Sequence, residues 1–342
     1  MSARGFTLVE LMVASSVGAV ITLAGVAFVS HQTRLMGVTS ERIEMNQASR
    51  FGLERLRADL RMAGVGIGYD ESGGFSGLEF STFSRGGAQF TSDNRTLNSG
   101  VLTDDLGILI ASGGQTTIAG YNSGGLAQFC AASGIKSGSL VVFRSEDGLS
   151  ARSAIVTQIG SGHCSGDVCS GGCDDVLWAA DPAATYASGA NAIDVSYLGG
   201  TATGDLRQVT WFVEDTDPAH RGEGRLRRVV GDCSALDYNC GEVMAERVES
   251  MQIRRYARKD GAWTDITDAT TKPEPGVRLR VDVELVVRAR AVDTQPHEPT
   301  SLLLETGACV PSCTSRDSYA RKAVRASVEI KNSGRNQYWR GR

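Results

Sequence analysis

Cysteine is the residue type in this chain whose spacing suggests chemistry, as disulfides or as metal ligands. Cys233 with Cys240, and Cys309 with Cys313, bracket short turn-rich segments, so their spacing predicts two local disulfides. The other four cysteines would supply two further bridges whose pairing stays open: Cys130, Cys164, Cys169 and Cys173. An even total of eight, spread over the chain, favours an oxidising compartment.

A metal site is the alternative for the central cysteines, because His163 precedes Cys164 and the loop continues to Cys169 and Cys173. The spacing differs from the paired two-residue spacing of zinc ribbons, and an exported domain oxidises its thiols. Calcium is a second alternative, with three acids in the loop, but no Asp-x-Asp-x-Asp-Gly pattern is present; these acids are Asp167, Asp174 and Asp175. We expect no metal and no cofactor.

The other polar residues form no recognisable catalytic pattern. None of the four histidines lies in a Gly-x-Ser-x-Gly or His-Glu-x-x-His motif. The pairs Asp104-Asp105 and Asp174-Asp175 are adjacent, so on a strand their carboxylates would point apart. The net charge of −4 gives no basic excess for nucleic acid. We therefore expect neither an enzyme nor a nucleic-acid binder.

The amino terminus has the length and composition of a membrane span. The 20 residues from Leu11 to Ser30 carry no charge, and as a helix they would extend about 30 Å, the thickness of a bilayer's hydrocarbon core. This run is too long for the apolar core of an ordinary cleaved secretory signal. Glu10, at its edge, is costly in a simple single-pass anchor unless a positive group pairs with it.

The residues Met1-Ser2-Ala3-Arg4-Gly5, followed by Phe6-Thr7-Leu8-Val9-Glu10-Leu11, resemble the class III signal of type IV pilin-like proteins. The resemblance implies that a prepilin peptidase cuts between Gly5 and Phe6 and methylates the new amino group of Phe6. It also implies that Glu10 is the family's glutamate, neutralised during assembly by the Phe6 amino group of a neighbouring subunit. The implied organisation is a leader (1–5), a helix (6–30 in the membrane or filament core, 31–63 amphipathic) and a head (64–342).

The segment beyond the apolar run has the period of an amphipathic helix. Its apolar positions recur at helical spacing: Met45, Ala48, Gly52, Leu53, Leu56, Leu60 and Ala63. The opposite face is charged, with Arg50, Glu54, Arg55, Arg57 and Arg61. Within the family, residues 50–64 (RFGLERLRADLRMAG) resemble the PilW-type minor pilins. The J-type minor pseudopilins of type II secretion have a related run and usually a smaller head.

The remainder of the chain predicts an antiparallel β-rich head, so the fold class is α+β. Predicted strands are Leu106–Ala111, Ser139–Arg144, Ala154–Ile159, Ala192–Leu198, Arg207–Val213, Arg225–Val230, Met251–Tyr256, Gly276–Ala291 and Ala323–Asn332. We predict that Val243–Ser250 is a short turn that leads into Met251–Tyr256, and we place one strand only, Leu106–Ala111, between Tyr69 and Gly125. The alternation of valine and leucine with charged residues is most regular in Gly276–Ala291.

The resemblance implies a non-catalytic minor pilin of a type IV pilus. Such a subunit would sit in the inner membrane with its head outside, and then near the pilus tip, where it primes assembly and functions in twitching motility and adhesion. Its implied partners are the prepilin peptidase, the membrane, other minor pilins, the major pilin and a possible tip adhesin. The alternatives are a J-type pseudopilin, and a membrane-anchored binding protein or enzyme.

Overall fold

The computed structural model describes the chain in separate ranges. They are residues 7–63, 78–79, 83–85, 88–90, 95–111, 113, 115–122, 126–130, 135–146, 151–162, 169, 172–180, 198–204, 206–218, 223–231, 237–266, 278–289, 300–302, 309–310 and 319–330.

One helix, α1, runs from Leu8 to Met62 and is followed by strands. Its 55 residues extend about 82 Å at a rise of ~1.5 Å per residue. Thr7 caps its amino end, and Ala63 closes its carboxyl end through a backbone hydrogen bond to Leu60. No proline interrupts it. The long helix and the β-rich body that follows it confirm the predicted α+β fold class.

The strands are β1 Leu78–Glu79, β2 Phe83–Arg85, β3 Ala88–Phe90, β4 Arg95–Thr96, β5 Leu102–Thr103, β6 Leu106–Ala111, β7 Gln115–Asn122, β8 Leu126–Cys130, β9 Leu140–Arg144, β10 Ala151–Gly162, β11 Cys173–Ala180, β12 Thr201–Thr203, β13 Leu206–Glu214, β14 Arg225–Val230, β15 Glu242–Glu246, β16 Val248–Lys259, β17 Ala262–Asp265, β18 Leu279–Arg288, β19 Thr300–Ser301, β20 Cys309–Val310 and β21 Arg321–Ile330. The first sheet has the order β1-β6-β13-β14-β15, and the second has the order β17-β16-β18-β21.

The helix packs against β15, β18 and β21, so both sheets contribute to one core with it. Its buried residues Met45, Leu56 and Leu60 belong to the apolar face that the sequence predicts. Gly52 allows the closest approach, because a Cβ there would lie 3.0 Å from Leu226 Cδ2. On β18, the alternating residues Leu279, Val281, Val283, Leu285 and Val287 are buried in the same core.

A closed barrel of the order β10-β11-β8-β7-β12-β9 lies between β6 and β13 in sequence. It has its own apolar core, whose largest residues are Phe129 and Phe143 with ring centroids 5.7 Å apart. The chain leaves the first sheet after Ala111 and re-enters it at Leu206, which is the register partner of Ala111. The barrel is therefore an insertion between two adjacent strands. The strand pattern of the sequence predicts only an antiparallel sheet here, not a closed barrel.

Several predicted segments differ from the structure. The prediction that Val243–Ser250 is a turn is wrong, because β15 and β16 fill this stretch and only Arg247 separates them. Alternation is absent there because Val248 and the five residues that follow are all buried, on both faces of the sheet. Besides β6, the strands β1 to β5 and β7 lie between Tyr69 and Gly125, where one strand only was expected. Residues 192–197 of a predicted strand lie outside the described residues, and Leu198 is in a turn.

Candidate assembly site: the exposed helix and its contacts with the head

The amino end of α1 is organised by a capping box. The Thr7 backbone N–H and hydroxyl each donate to Oε2 of Glu10 at 2.9 Å, and the Glu10 N–H donates to Thr7 Oγ1 at 3.3 Å. The Glu10 carboxylate therefore lies at the positive end of the helix dipole, where a negative charge is favourable. The predicted processing residues Gly5 and Phe6 lie outside the described residues.

The first 22 residues of the helix form a largely apolar surface that no other described part of the chain covers. Every large apolar side chain from Leu8 to Val29 is exposed, from 52% at Val17 to 75% at Leu8. Hydroxyl groups in this stretch donate to carbonyls of the helix itself, as Ser16 does to Val13 at 2.9 Å and Thr22 to Gly18 at 2.8 Å. Polar groups are thus satisfied internally, as a lipid-like environment requires. In the described part of the chain, this helix alone is long and apolar enough to cross a membrane.

An inner clasp, formed by Asp59, Arg228 and Trp211, fixes the carboxyl half of the helix to the first sheet. Asp59 Oδ2 accepts from Arg228 Nε at 2.6 Å and from Trp211 Nε1 at 2.9 Å, while Oδ1 accepts from Arg228 Nη2 at 3.2 Å. Asp59 is 6% exposed and Trp211 is fully buried. A buried carboxylate with three donors keeps its charge compensated, so the contact is directional as well as apolar.

An outer clasp, formed by Glu41, Glu44 and Arg247, lies within about one turn of Met45, the first core residue of the helix, on the side towards the membrane. Arg247 donates to Glu41 at 3.4 Å and to Glu44 at 3.0 Å. Its backbone has φ +62°, the left-handed region that residues other than glycine rarely adopt. Its carbonyl accepts from the Arg288 N–H at 2.8 Å. Arg247 therefore joins the helix to the point where the chain passes from the first sheet to the second.

Neither clasp was predicted from the sequence. A signal was present for Asp59, because it lies three residues after Leu56 and seven after Gly52, on the face predicted to be apolar. A carboxylate on such a face indicates a buried basic partner. The choice of Arg228 depends on the pairing of distant strands, and for Arg247 the sequence offers no comparable signal.

The structure joins Cys130 and Cys169 in a disulfide, with their Cα atoms 5.2 Å apart. It links β8 to the chain just before β11. Cys173 and Cys240 are disulfide-bonded as well, with partners whose side chains are not described. The predicted pairs Cys233–Cys240 and Cys309–Cys313 stay predictions, because Cys233 and Cys313 lie outside the described residues.

Disulfide bonding also bears on the metal alternative. A cysteine in a disulfide has no thiolate to give to a metal, so Cys169 and Cys173 are removed from the four soft ligands considered above. His163 and Cys164 lie outside the described residues. Asp175 accepts a hydrogen bond from Gln128 Nε2 at 3.0 Å. Among the described residues, no group of three or more His, Cys, Asp or Glu side chains could hold a metal ion.

The adjacent acids Asp104 and Asp105 have different partners and do not form a carboxylate dyad. Asp104 Oδ2 accepts from the Ile253 N–H at 2.7 Å, which ties the approach to β6 to the second sheet. Asp105 forms two hydrogen bonds with Arg95, at 2.8 and 3.0 Å. Burial of the Asp105 carboxylate raises its pKa to about 6, although the charge and hydrogen bonds of Arg95 oppose the rise.

Comparisons with known proteins give one family match, and it covers the amino terminus. Residues 1–26 match the family described as the prokaryotic N-terminal methylation motif. None of the curated proteins matches the chain. A type IV-like pilin from Thermus thermophilus is similar at 14% identity over 58% of this chain and 87% of its own, with a TM-score of 0.20, too low for any argument about the fold. At its amino terminus, the chain carries the N-terminal methylation motif of prokaryotic pilins.

Proposed function

We propose that the chain is a non-catalytic minor pilin of a type IV pilus. One observation carries the proposal: the methylation motif, residues 1–26, includes the start of a helix whose large apolar side chains are exposed from Leu8 to Val29 and whose carboxyl half is fixed to a β-rich head. A helix with such a surface needs a bilayer or other apolar helices around it. Transfer from the membrane into a filament core would exchange one such environment for the other.

The same features give a location and a first partner. The basic leader residue Arg4 favours a cytoplasmic leader, so the head would lie outside the inner membrane. A prepilin peptidase would remove the leader at Gly5 and methylate Phe6, and the retained helix would hold the subunit in the membrane until assembly. Disulfide bonds in the head are suited to an oxidising exterior.

A position near the pilus tip, beside other minor pilins and a possible adhesin, rests on the PilW-type resemblance of residues 50–64. The inserted barrel adds physical support. It enlarges the head beyond the two sheets that pack on the helix. A head of that bulk is harder to repeat at the close spacing of a helical filament than to place once at an end. The subunit would therefore be present in few copies and prime assembly.

The test of this proposal is deletion of the chain in its native cells, with complementation. We expect loss of surface pili and of twitching motility, restored by the wild-type chain, and secretion of extracellular enzymes at the normal level. Lost secretion with normal pili would identify a J-type pseudopilin instead. Normal pili and normal secretion, together with ligand binding or substrate turnover by the chain, would identify a membrane-anchored binding protein or enzyme.

A further inference from the structure

Three cysteine sulfurs meet where strand β8 of the inserted barrel ends and strand β11 begins. We name them the three-sulfur cluster: Cys130, Cys169 and Cys173. Cys130 and Cys169 are joined in a disulfide, and Sγ of Cys173 lies 3.4 Å from Sγ of Cys169. Cys173 is disulfide-bonded as well, so its partner is a cysteine outside the cluster. Two separate disulfides are therefore in contact, through Cys169 and Cys173.

The sheet fixes two members of the cluster, and the chain before β11 places the third beside them. Cys130 is the last residue of β8, Cys173 is the first residue of β11, and the two are register partners. Cys169 precedes β11 by a few residues, the last of which, Gly172, has φ +90°, in the left-handed region that favours glycine. A bond from Cys169 to either neighbour therefore leaves the pairing of β8 with β11 intact.

The three cysteines differ in exposure to solvent. Cys130 and Cys169 are half-buried, whereas Cys173 is 5% exposed. A thiol from solution therefore reaches the Cys130–Cys169 disulfide more readily than it reaches Sγ of Cys173. Half-burial also favours a small thiol over a cysteine of a folded partner, because the partner's backbone would have to approach the barrel almost as closely as its sulfur.

The sulfur that is attacked determines what happens next. In thiol–disulfide exchange a thiolate bonds to one sulfur of a disulfide, and the electron pair of the broken bond leaves on the other sulfur. Attack on Cys130 leaves that electron pair on Sγ of Cys169, which lies 3.4 Å from Sγ of Cys173. This separation is within the ~3–3.5 Å at which well-positioned groups react. Attack on Cys130 therefore provides a second exchange step without movement of the strands.

We propose that Cys130 is a covalent acceptor site for a low-molecular-weight thiol and that Cys173 makes the attachment persist. In the first step the external thiolate bonds to Sγ of Cys130, the Cys130–Cys169 bond breaks, and Cys169 becomes the thiolate. In the second step Cys169 bonds to Sγ of Cys173, and the cysteine outside the cluster leaves with the electron pair and takes up the proton that the external thiol released. One thiol enters and one thiol results, so no oxidant or reductant is consumed. This inference does not depend on the proposed function.

The second step determines how long the external thiol stays on Cys130. A Cys169 thiolate that remained beside Cys130 would attack the mixed disulfide, expel the external thiol and restore the original bond. Once Cys169 is bonded to Cys173, that thiolate is no longer present. Cys173 therefore acts on the lifetime of the adduct and not on its formation.

The experiment treats the full chain, purified in detergent micelles, with reduced glutathione. Remaining thiols are then blocked with N-ethylmaleimide, and the disulfides are mapped by mass spectrometry of a non-reducing digest. We expect glutathione on Cys130 and a Cys169–Cys173 bond in the same molecules. Glutathione on other cysteines in place of Cys130, glutathione on Cys130 without the Cys169–Cys173 bond, or absence of any adduct would each overturn the inference.

The variant Cys173→Ser tests the persistence of the adduct. The thiol that this substitution leaves on the cysteine outside the cluster is blocked with N-ethylmaleimide before glutathione is added. We expect the yield of glutathione on Cys130 to fall about tenfold, because Cys169 now expels it. Cys240→Ser, which opens a different disulfide of the head and receives the same treatment, is the matched control and should retain the wild-type yield. Equal yields in the two variants would contradict the role of Cys173.

The variant Cys130→Ser tests the second step without an external thiol. It leaves Cys169 without its disulfide partner, 3.4 Å from Sγ of Cys173. We expect the purified variant to contain a Cys169–Cys173 bond and a new thiol on a cysteine outside the cluster. A free thiol on Cys169, with Cys173 still bonded to its original partner, would show that the two disulfides do not exchange.

Discussion

Asp59 and Arg228, 169 residues apart in sequence, form an ion pair of 2.6 Å in which Trp211 also takes part. This contact lies between the rod and the head, and both carboxylate oxygens of Asp59 are engaged. The ion pair therefore fixes the rotation of the head about the helix axis and its position along that axis. Apolar packing alone, which is not directional, would fix them less precisely.

Replacement of Asp59 should be strongly destabilising. Asp59→Ala leaves the Arg228 guanidinium and the Trp211 N–H without this partner in a buried site, so we expect a loss of about 3–5 kcal/mol in the free energy of unfolding. Urea unfolding of the full chain in detergent micelles, followed by tryptophan fluorescence, measures it. Glu54→Ala, which removes an exposed pair on the same helix, is the matched control and should cost no more than about 0.5 kcal/mol. Equal losses in the two variants would contradict the clasp.

The backbone of Arg247 allows its conformation and its side chain to be tested separately. Arg247→Ala removes the bonds to Glu41 and Glu44 and keeps a side chain at φ +62°, whereas Arg247→Gly removes the same bonds and relieves the left-handed backbone. We expect the glycine variant to be more stable than the alanine variant by about 1 kcal/mol in the same unfolding assay. The free energy of unfolding of the wild-type protein should be greater than that of the alanine variant. Identical stability of the two variants would show that the conformation at 247 is not strained.

The raised pKa of Asp105 predicts a pH dependence with a definite sign. In the unfolded chain this group ionises near pH 3.8, and in the folded protein near 6. Between these values the folded state binds more protons, so this group's contribution to stability falls as pH rises, by at most about 3 kcal/mol. Asp105→Asn has no ionisable group at this position, so it lacks this pH dependence of stability. The stability of wild type relative to Asp105→Asn should therefore be greater at pH 4 than at pH 7, and a difference independent of pH would be the contrary result.

Glu10 can be tested for charge and for capping with two substitutions. Glu10→Gln keeps an oxygen that accepts from Thr7 but removes the charge, whereas Glu10→Ala removes both. If a neighbouring amino group pairs with Glu10, both variants should insert in the membrane and both should be depleted from sheared pili. Immunoblots of membrane and pilus fractions measure this. Normal incorporation of Glu10→Gln would mean that capping, not charge, is what assembly needs.

The sequence predicts those features that depend on local periodicity. The face of the helix with Met45, Leu56 and Leu60 is confirmed, and β18 lies within the segment of most regular alternation. Both could be predicted because the helix and strand periods depend on residues close together in the sequence. The barrel and the inner clasp depend on pairings between distant segments, such as β9 with β12, which no local pattern records. The turn predicted at Val243–Ser250 failed for a related reason: β15 buries the adjacent residues Met244 and Ala245, and β16 is buried on both faces from Val248, so neither strand shows a period of two. Of the site itself, Glu10 follows from the motif, while Arg228 and Arg247 required the fold.

The most direct test of the pilin assignment is the mass of the amino-terminal peptide, measured on protein isolated from its native cells. The expected peptide begins at Phe6 and carries one added methyl group, with Met1 to Gly5 removed. Gly5→Val should leave the leader attached, while Gly18→Val, at a glycine whose Cβ would meet nothing within 4 Å, should be processed normally. A peptide that begins before Phe6, or one cut after the apolar run, would contradict the assignment.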